Sequence, residues 1–373
     1  VAACAQLLSY DDYAPRPEAS DTGNASVDAR ADTAVSDSAV DAVDDSPKRP
    51  PTRPAGEPKP SGKGKTIWMA AKRMWLGSLN SLGAETPDAW KEWGFDIDNT
   101  CTGITESKTN VGTCKRPADA NQDSLVDGNR CLDNNFGHHV IGLIKLSSSG
   151  FEQRVITGLL DGDATWLVRI DDLDDGVDDA YAPAKLYRTS AALKGSLKWD
   201  GSDVRDVLSD AVVDGSLEKA RVEFPNAYVK NNVWVSGEPA FRAFVLPLSA
   251  SLVVPLTLDS AVMTLELDEA HTSGKRATLA GAIPLATIES LLYPIASNAG
   301  VCPGSGVYVS LYGSMQRFPD VVVGAPNLQD TTQTCNGISF GVGIDFAPVQ
   351  PATKLEPAAK PGPDPCDAGA KPG

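Results

Sequence analysis

The chain has 373 residues, 42% of them hydrophobic, with a formal net charge of −16 and a pI near 4.6. The apolar content suffices for a substantial core, while the acidic balance repels phosphate and anionic lipid and argues against nucleic acid as a partner. The longest apolar run, FVLPLSASLVVPL from Phe244 to Leu256, is broken by Pro247 and Pro255; it falls short of the roughly 20 residues of a membrane-spanning helix and reads as paired strands.

The chain opens VAACAQ. V-A-A-C resembles the lipobox that ends a bacterial lipoprotein signal peptide, in which the cysteine, here Cys4, carries the acyl chains; by this expectation the chain starts inside such a signal. Two or more acyl chains hold a protein stably at about 0.8 kcal/mol per buried CH₂. Ala5 follows the cysteine, where an Asp would favour inner-membrane retention, so display at the outer membrane or cell surface is expected. Next come an Asp/Ala/Ser-rich stretch and the Pro-rich, basic PKRPPTRPAGEPKPSGKGK. Neither has the apolar periodicity of a core, so residues 1–65 read as a disordered tether. Residues 350–373, rich in Pro, Ala and Lys, read as a disordered tail.

A Cys/Asp-rich module is expected over residues 66–150. TIWMAAKRMWLGSL supplies a buried helix or strand, and FGHHVIGLIKLSS a second apolar run. Between Cys101 and Asn135 apolar residues are scarce, so that segment needs disulfides, metal or both to fold. Residues 151–349 read as a β-rich body. TWLVRI, AKLYRT, GSLKW, RVEFPNAYVKNNVWVSG, AFRAFVLPL, AVMTLELD and VYVSLYGS are short, rich in Val, Leu and aromatics, and punctuated by turn residues. One helix is expected in PLATIESLLYPIA, started by Pro284 and stopped by Pro294. The fold class is mainly β: a β-sandwich or jelly-roll-like body with few short helices.

AWKEWGFDIDNTC, the Cys/Asp segment, LDSAVMTLELDEAHTSGKRATLAGAIPLATIESLL and TCNGISFGVGIDFAP together resemble a group of lipoproteins from myxobacteria and related soil bacteria. The resemblance spans roughly Leu76 to Pro348 and implies no activity. The chain departs from the group at Thr102-Gly103, where a second nearby cysteine is frequent.

Seven cysteines are present and none forms C-x-x-C, so a zinc ribbon or redox motif has no support. With Cys4 assigned to lipid, Cys101, Cys114 and Cys131 precede residue 132, and Cys302, Cys335 and Cys366 follow residue 301. Three is odd on each side, so full pairing requires a bridge between the clusters. Cys302 with Cys335, and Cys366 with the Cys/Asp segment, is the expected arrangement.

Calcium is the candidate cofactor, at DANQDSLVDGNRCLDN. Counting from Asp119, Asn121 is third, Asp123 fifth, Leu125 seventh through its carbonyl and Asp127 ninth, as at the start of an EF-hand-like loop. Ser124 replaces the turn glycine and Arg130 the closing acid, so a further ligand must come from Asp133, Asp96 or Asp98, if the Cys101–Cys131 region folds back. The alternative is a loop of Asx turns.

RIDDLDDGVDDAY packs six aspartates into a hairpin loop that solvent or cations must screen. GISFG fits G-x-S-x-G, but its flanks read as strand and no histidine follows Ser339, so a glycine-rich strand is expected rather than a hydrolase elbow. His138 and His139, read as strand neighbours, face opposite sides and do not easily share a metal, which leaves one of them open to join Asp133 at a site. Trp199 with Asp200 and Asp203, and Trp234, are places for a glycan to stack. No catalytic set is legible. The expected protein is an exported, membrane-anchored binding or structural module with a glycan or protein ligand; a calcium-dependent carbohydrate-binding module is the alternative, and a secreted hydrolase a third.

Overall fold

The computed structural model describes residues 46–103, 112–120, 125–249, 252–358 and 364–366. Cys4, Asn121 and Asp123 lie outside them. The strands are β1 (Lys65–Trp75), β2 (Cys114–Lys115), β3 (Trp166–Leu173), β4 (Ala184–Arg188), β5 (Val207–Leu208), β6 (Val212–Val213), β7 (Ser216–Ala220), β8 (Val222–Phe224), β9 (Tyr228–Lys230), β10 (Val233–Val235), β11 (Ala240–Pro247), β12 (Val253–Leu267), β13 (Gly274–Pro284), β14 (Asp330–Thr334), β15 (Gly337–Pro348) and β16 (Leu355–Glu356). The helices are α1 (Ile141–Ser147), α2 (Phe151–Asp161), α3 (Ile288–Asn298) and α4 (Gly306–Met315). No described helix is long and apolar enough to cross a membrane.

The body is mainly β, as the strand-rich text implies. Ten strands form one antiparallel sheet in the order β8-β4-β3-β1-β15-β13-β12-β10-β9, with β11 also paired to β12. The long β12 serves two partners: its first part pairs with β11 and its last with β10. The sheet curls, so β11 returns towards β8, where Arg242 donates to the Glu223 carbonyl at 2.9 Å.

The concave side holds one continuous core. Met69, Val168, Leu265, Leu279, Phe340 and Ile344 meet helix residues Ile144, Leu159, Leu291 and Met315 there. Outside, Trp68, Ala70, Leu167 and Tyr187 are covered by residues from β5 to β7 and by Val349 and Ala352. β1 is therefore buried on both faces, which is why TIWMAA shows no alternation.

Several elements differ from expectation. VYVSLYGS is the helix α4, not a strand: Ser305 caps it by accepting from the Tyr308 amide at 3.2 Å, and packing overrides β-propensity. GSLKW is turn and coil. Pro294 lies inside α3, which continues to Asn298; the burial of Leu291, Leu292 and Ala296 outweighs the lost backbone bond. Residues 46–64 lie against the body as an arm. The Tyr228 hydroxyl donates to the Pro51 carbonyl at 2.6 Å, Arg53 donates to Ala180 at 2.7 Å and covers the Tyr228 ring, and the Ser61 amide donates to Asp172 at 2.7 Å. Beyond residue 350, Ala352 is buried and β16 pairs with β5.

The bridges are Cys101–Cys131, Cys114–Cys335 and Cys302–Cys366. One joins the two clusters, as parity requires, but the partners expected for Cys302 and Cys366 are wrong. β2 runs parallel to β14 and so brings Cys114 beside Cys335. Tyr293 and Ser297 of α3 donate to Asp364 and so hold Cys366 beside Cys302.

Candidate metal centre

Three stretches of chain bring five aspartates together. Asp96 and Asp98 follow the turn Trp93-Gly94-Phe95, which lies directly on β15. A Cβ added at Gly341 would stand 2.4 Å from the Trp93 carbonyl oxygen, and one at Gly343 would stand 2.2 Å from its indole ring. Phe95 packs on the outer face of the sheet with Tyr228, Val262 and Ala280, and its carbonyl accepts from the Asp133 amide at 3.0 Å. The Cys101–Cys131 bridge folds the next segment back, which sets Asp127 and Asp133 against the first pair. Asp320 arrives from the loop before β14, tied in by Cys114–Cys335.

Asn134 is the keystone beside them. Its amide donates to the carbonyls of Trp90 (3.2 Å) and Trp93 (3.0 Å), and its oxygen accepts from the amides of Gly137 and Gly341, each at 2.9 Å. All four of its hydrogen-bonding positions are used.

The carboxylates are oriented from behind. Oδ2 of Asp133 accepts from the amides of Ile97 (2.8 Å) and Asp98 (3.3 Å). Asp98 accepts from the Thr100 amide at 2.8 Å and from the Thr113 hydroxyl. Asp127 accepts from the Thr102 amide and lies within hydrogen-bond reach of Asp133. Asp320 accepts from the amide of Ser339 at 2.8 Å and from its hydroxyl. Arg49 of the arm gives both Nε (2.8 Å) and Nη2 (2.6 Å) to one oxygen of Asp96, Oδ2. The other, Oδ1, is buried without a partner.

Burial, reinforced by mutual repulsion, pushes the Asp98 carboxyl up to about 7, Asp127 up to about 9 and Asp133 well above the usual carboxylate range. Asp320 is pushed up to about 6, chiefly by burial. Asp96, Asp98 and Asp133 each present an oxygen within 4.8 Å of the other two. An all-oxygen carboxylate set suits calcium or magnesium rather than zinc or copper.

Of the described loop ligands, Asp119, Leu125 and Asp127, only Asp127 is placed in this centre. Asp119 is exposed and pairs with Arg317 at 3.2 Å. The Leu125 carbonyl accepts from Arg116 at 2.8 Å. Asp96, Asp98 and Asp133 do converge, through the fold-back on which their candidacy depended. Asp320, Thr113 and Arg49 went unread: Asp320 is an isolated acid far along the chain, and Arg49 sits in apparent tether.

The remaining candidates have structural roles. Each of the six aspartates in RIDDLDDGVDDAY has a protein partner: Asp171 has Arg169 and Lys185, Asp172 and Asp174 have Ser61, Asp175 has Lys65, Asp178 has Lys230, and Asp179 has the amides of Asp174 and Tyr181. Ser339 is buried within β15 and held by Asp320 and the Asn135 amide. His271 is buried between the Asp174 carbonyl and Asn232.

His138 and His139 lie in a π-helical turn, Phe136–Val140. Their rings stack at 3.9 Å rather than facing apart, in a column from Trp90 to Phe318. Trp234 is fully buried and donates to the Ala182 carbonyl at 2.8 Å. Trp199 is half-buried and donates to the Leu160 carbonyl. Trp234 therefore offers no open stacking face, while Trp199 packs against the outer cluster with part of its ring exposed.

Comparisons with protein-family models, with curated proteins and with solved structures each return no match.

Proposed function

We propose that this is an exported, lipid-anchored protein of the outer membrane or cell surface, acting as a non-catalytic binding or structural module of the envelope. The observation that carries this reading is the set of three intrachain disulfides. Such bridges form and persist in oxidising compartments and are rare in the cytosol. The lipobox-like V-A-A-C at Cys4, the tether composition after it and the resemblance to myxobacterial lipoproteins point the same way. The membrane is then a partner through the anchor, and a protein or glycan the ligand.

A cleft of about 360 Å³ between β4, β8 and β11, lined by Tyr187, Arg188, Arg221, Val222 and Ala243, is the place for such a ligand. The alternative, a calcium-dependent carbohydrate-binding module, draws support from the acidic centre. Against it stands the burial of six of the seven tryptophans, since Trp68, Trp75, Trp90, Trp93, Trp166 and Trp234 are inside and Trp199 alone is partly exposed.

Mass spectrometry of the N-terminal peptide from the native host tests the anchor. Acylated Cys4 is expected, and an unmodified thiol within an uncleaved leader would refute it. Glycan binding that needs calcium would instead favour the alternative.

A further inference from the structure

The geometry points to a calcium-binding site formed by Asp96, Asp98 and Asp133, with Asp127 beside them and Arg49 as the outer residue that orients Asp96. It is independent of export, and its residues are not those of the 119–127 loop, Asp127 excepted.

Calcium binds oxygen at about 2.4 Å, so oxygens up to about 4.8 Å apart can share one ion. The three aspartate oxygens meet that limit. An acidic cluster alone would mean little, because carboxylates often gather without an ion. The distinguishing feature is Asp96. Its side chain is 1% exposed, and Arg49 directs both donors at Oδ2, although a guanidinium normally grips both carboxylate oxygens in parallel. Oδ1 is left buried with no hydrogen-bond partner. A buried acceptor without a partner is costly, and a cation shared with Asp98 and Asp133 supplies one.

Donors behind Asp98 and Asp133 fix their rotamers, the outer-shell arrangement typical of metal ligands. Calcium is favoured over magnesium because magnesium keeps several waters and is seldom held by an all-protein cage.

Calorimetric titration of the full-length, disulfide-intact chain with Ca²⁺ after chelator treatment, paired with melting curves, tests this. One Ca²⁺ per chain is expected, with a melting temperature that rises with calcium. Asp133→Asn should abolish both the binding and the rise. Arg49→Gln, at a half-exposed arm position, should fold and bind about 10–100-fold more weakly, which keeps the test readable if Asp133→Asn does not fold. Asp119→Asn should bind as the wild type does. Absence of calcium binding by folded wild-type protein would overturn the site. So would binding that survives Asp133→Asn, or is untouched by Arg49→Gln and lost in Asp119→Asn.

Discussion

One methyl group tests how closely the aspartate-bearing turn sits on the sheet. Gly343 faces the Trp93 ring with no room for a Cβ, so Gly343→Ala should destabilise by about 1–3 kcal/mol, the usual cost of overpacking. Gly313 in α4 meets nothing within 4 Å, and Gly313→Ala should stabilise by about 0.5–1 kcal/mol through helix propensity. Denaturant unfolding of both variants decides, and equal effects would refute the close approach. His138 supplies a pH dependence. Burial first, then His139 and Lys91, lower its pKa from 6.5 to about 3. Between those values the unfolded chain binds a proton that the folded chain refuses, so this residue's contribution to stability falls as the pH drops from 6.5 towards 3. His138→Phe keeps a ring between Trp90 and His139 but removes the proton site. Relative to that variant, the wild type should lose melting temperature between pH 7 and pH 5; a constant gap would contradict the buried, neutral imidazole.

The strands and helices show where local text suffices. β3, β4, β11 and the second half of β12 announce themselves by β-branched and aromatic runs between turn residues. α4 does not: its Val and Tyr are strand formers, and only the Ser305 cap and the buried Tyr308 and Met315 make it helical. The arm is the converse case, with the composition of a linker and the contacts of a structural element. Its anchors along 46–64 include Lys48, Arg49, Pro51, Arg53 and Ser61. Arg53→Ala should free its middle without unfolding the sheet. Limited trypsin digestion should then cut after Lys63, which precedes Gly64, much sooner than in the wild type, with the melting temperature almost unchanged. Unaltered digestion would mean that Arg53 is not what pins the arm.

For the molecule as a whole, the mainly β class was legible, and so was the need for a bridge between the cysteine clusters. The pairing was not, because it depends on β2 lying parallel to β14 across 221 residues of sequence separation. The same distance hid Asp320 from its partners, whereas Asp96, Asp98 and Asp133, close to Cys101 and Cys131, could be named. Since loop-closure entropy grows with loop length, Cys114→Ser with Cys335→Ser should cost more than removing Cys101–Cys131, within about 2–5 kcal/mol. Comparing the two double variants by denaturant unfolding checks the order, and a larger loss from the shorter loop would reverse it. The arm has a mechanical consequence. Lys48 exchanges backbone hydrogen bonds with Arg130 and Asp96, at 2.9 and 2.8 Å, and Arg49 grips Asp96. A pull from the N-terminal side would therefore load the aspartate centre before it reached β1. The strands would be shielded, and the first part to yield would be the seam between arm and centre.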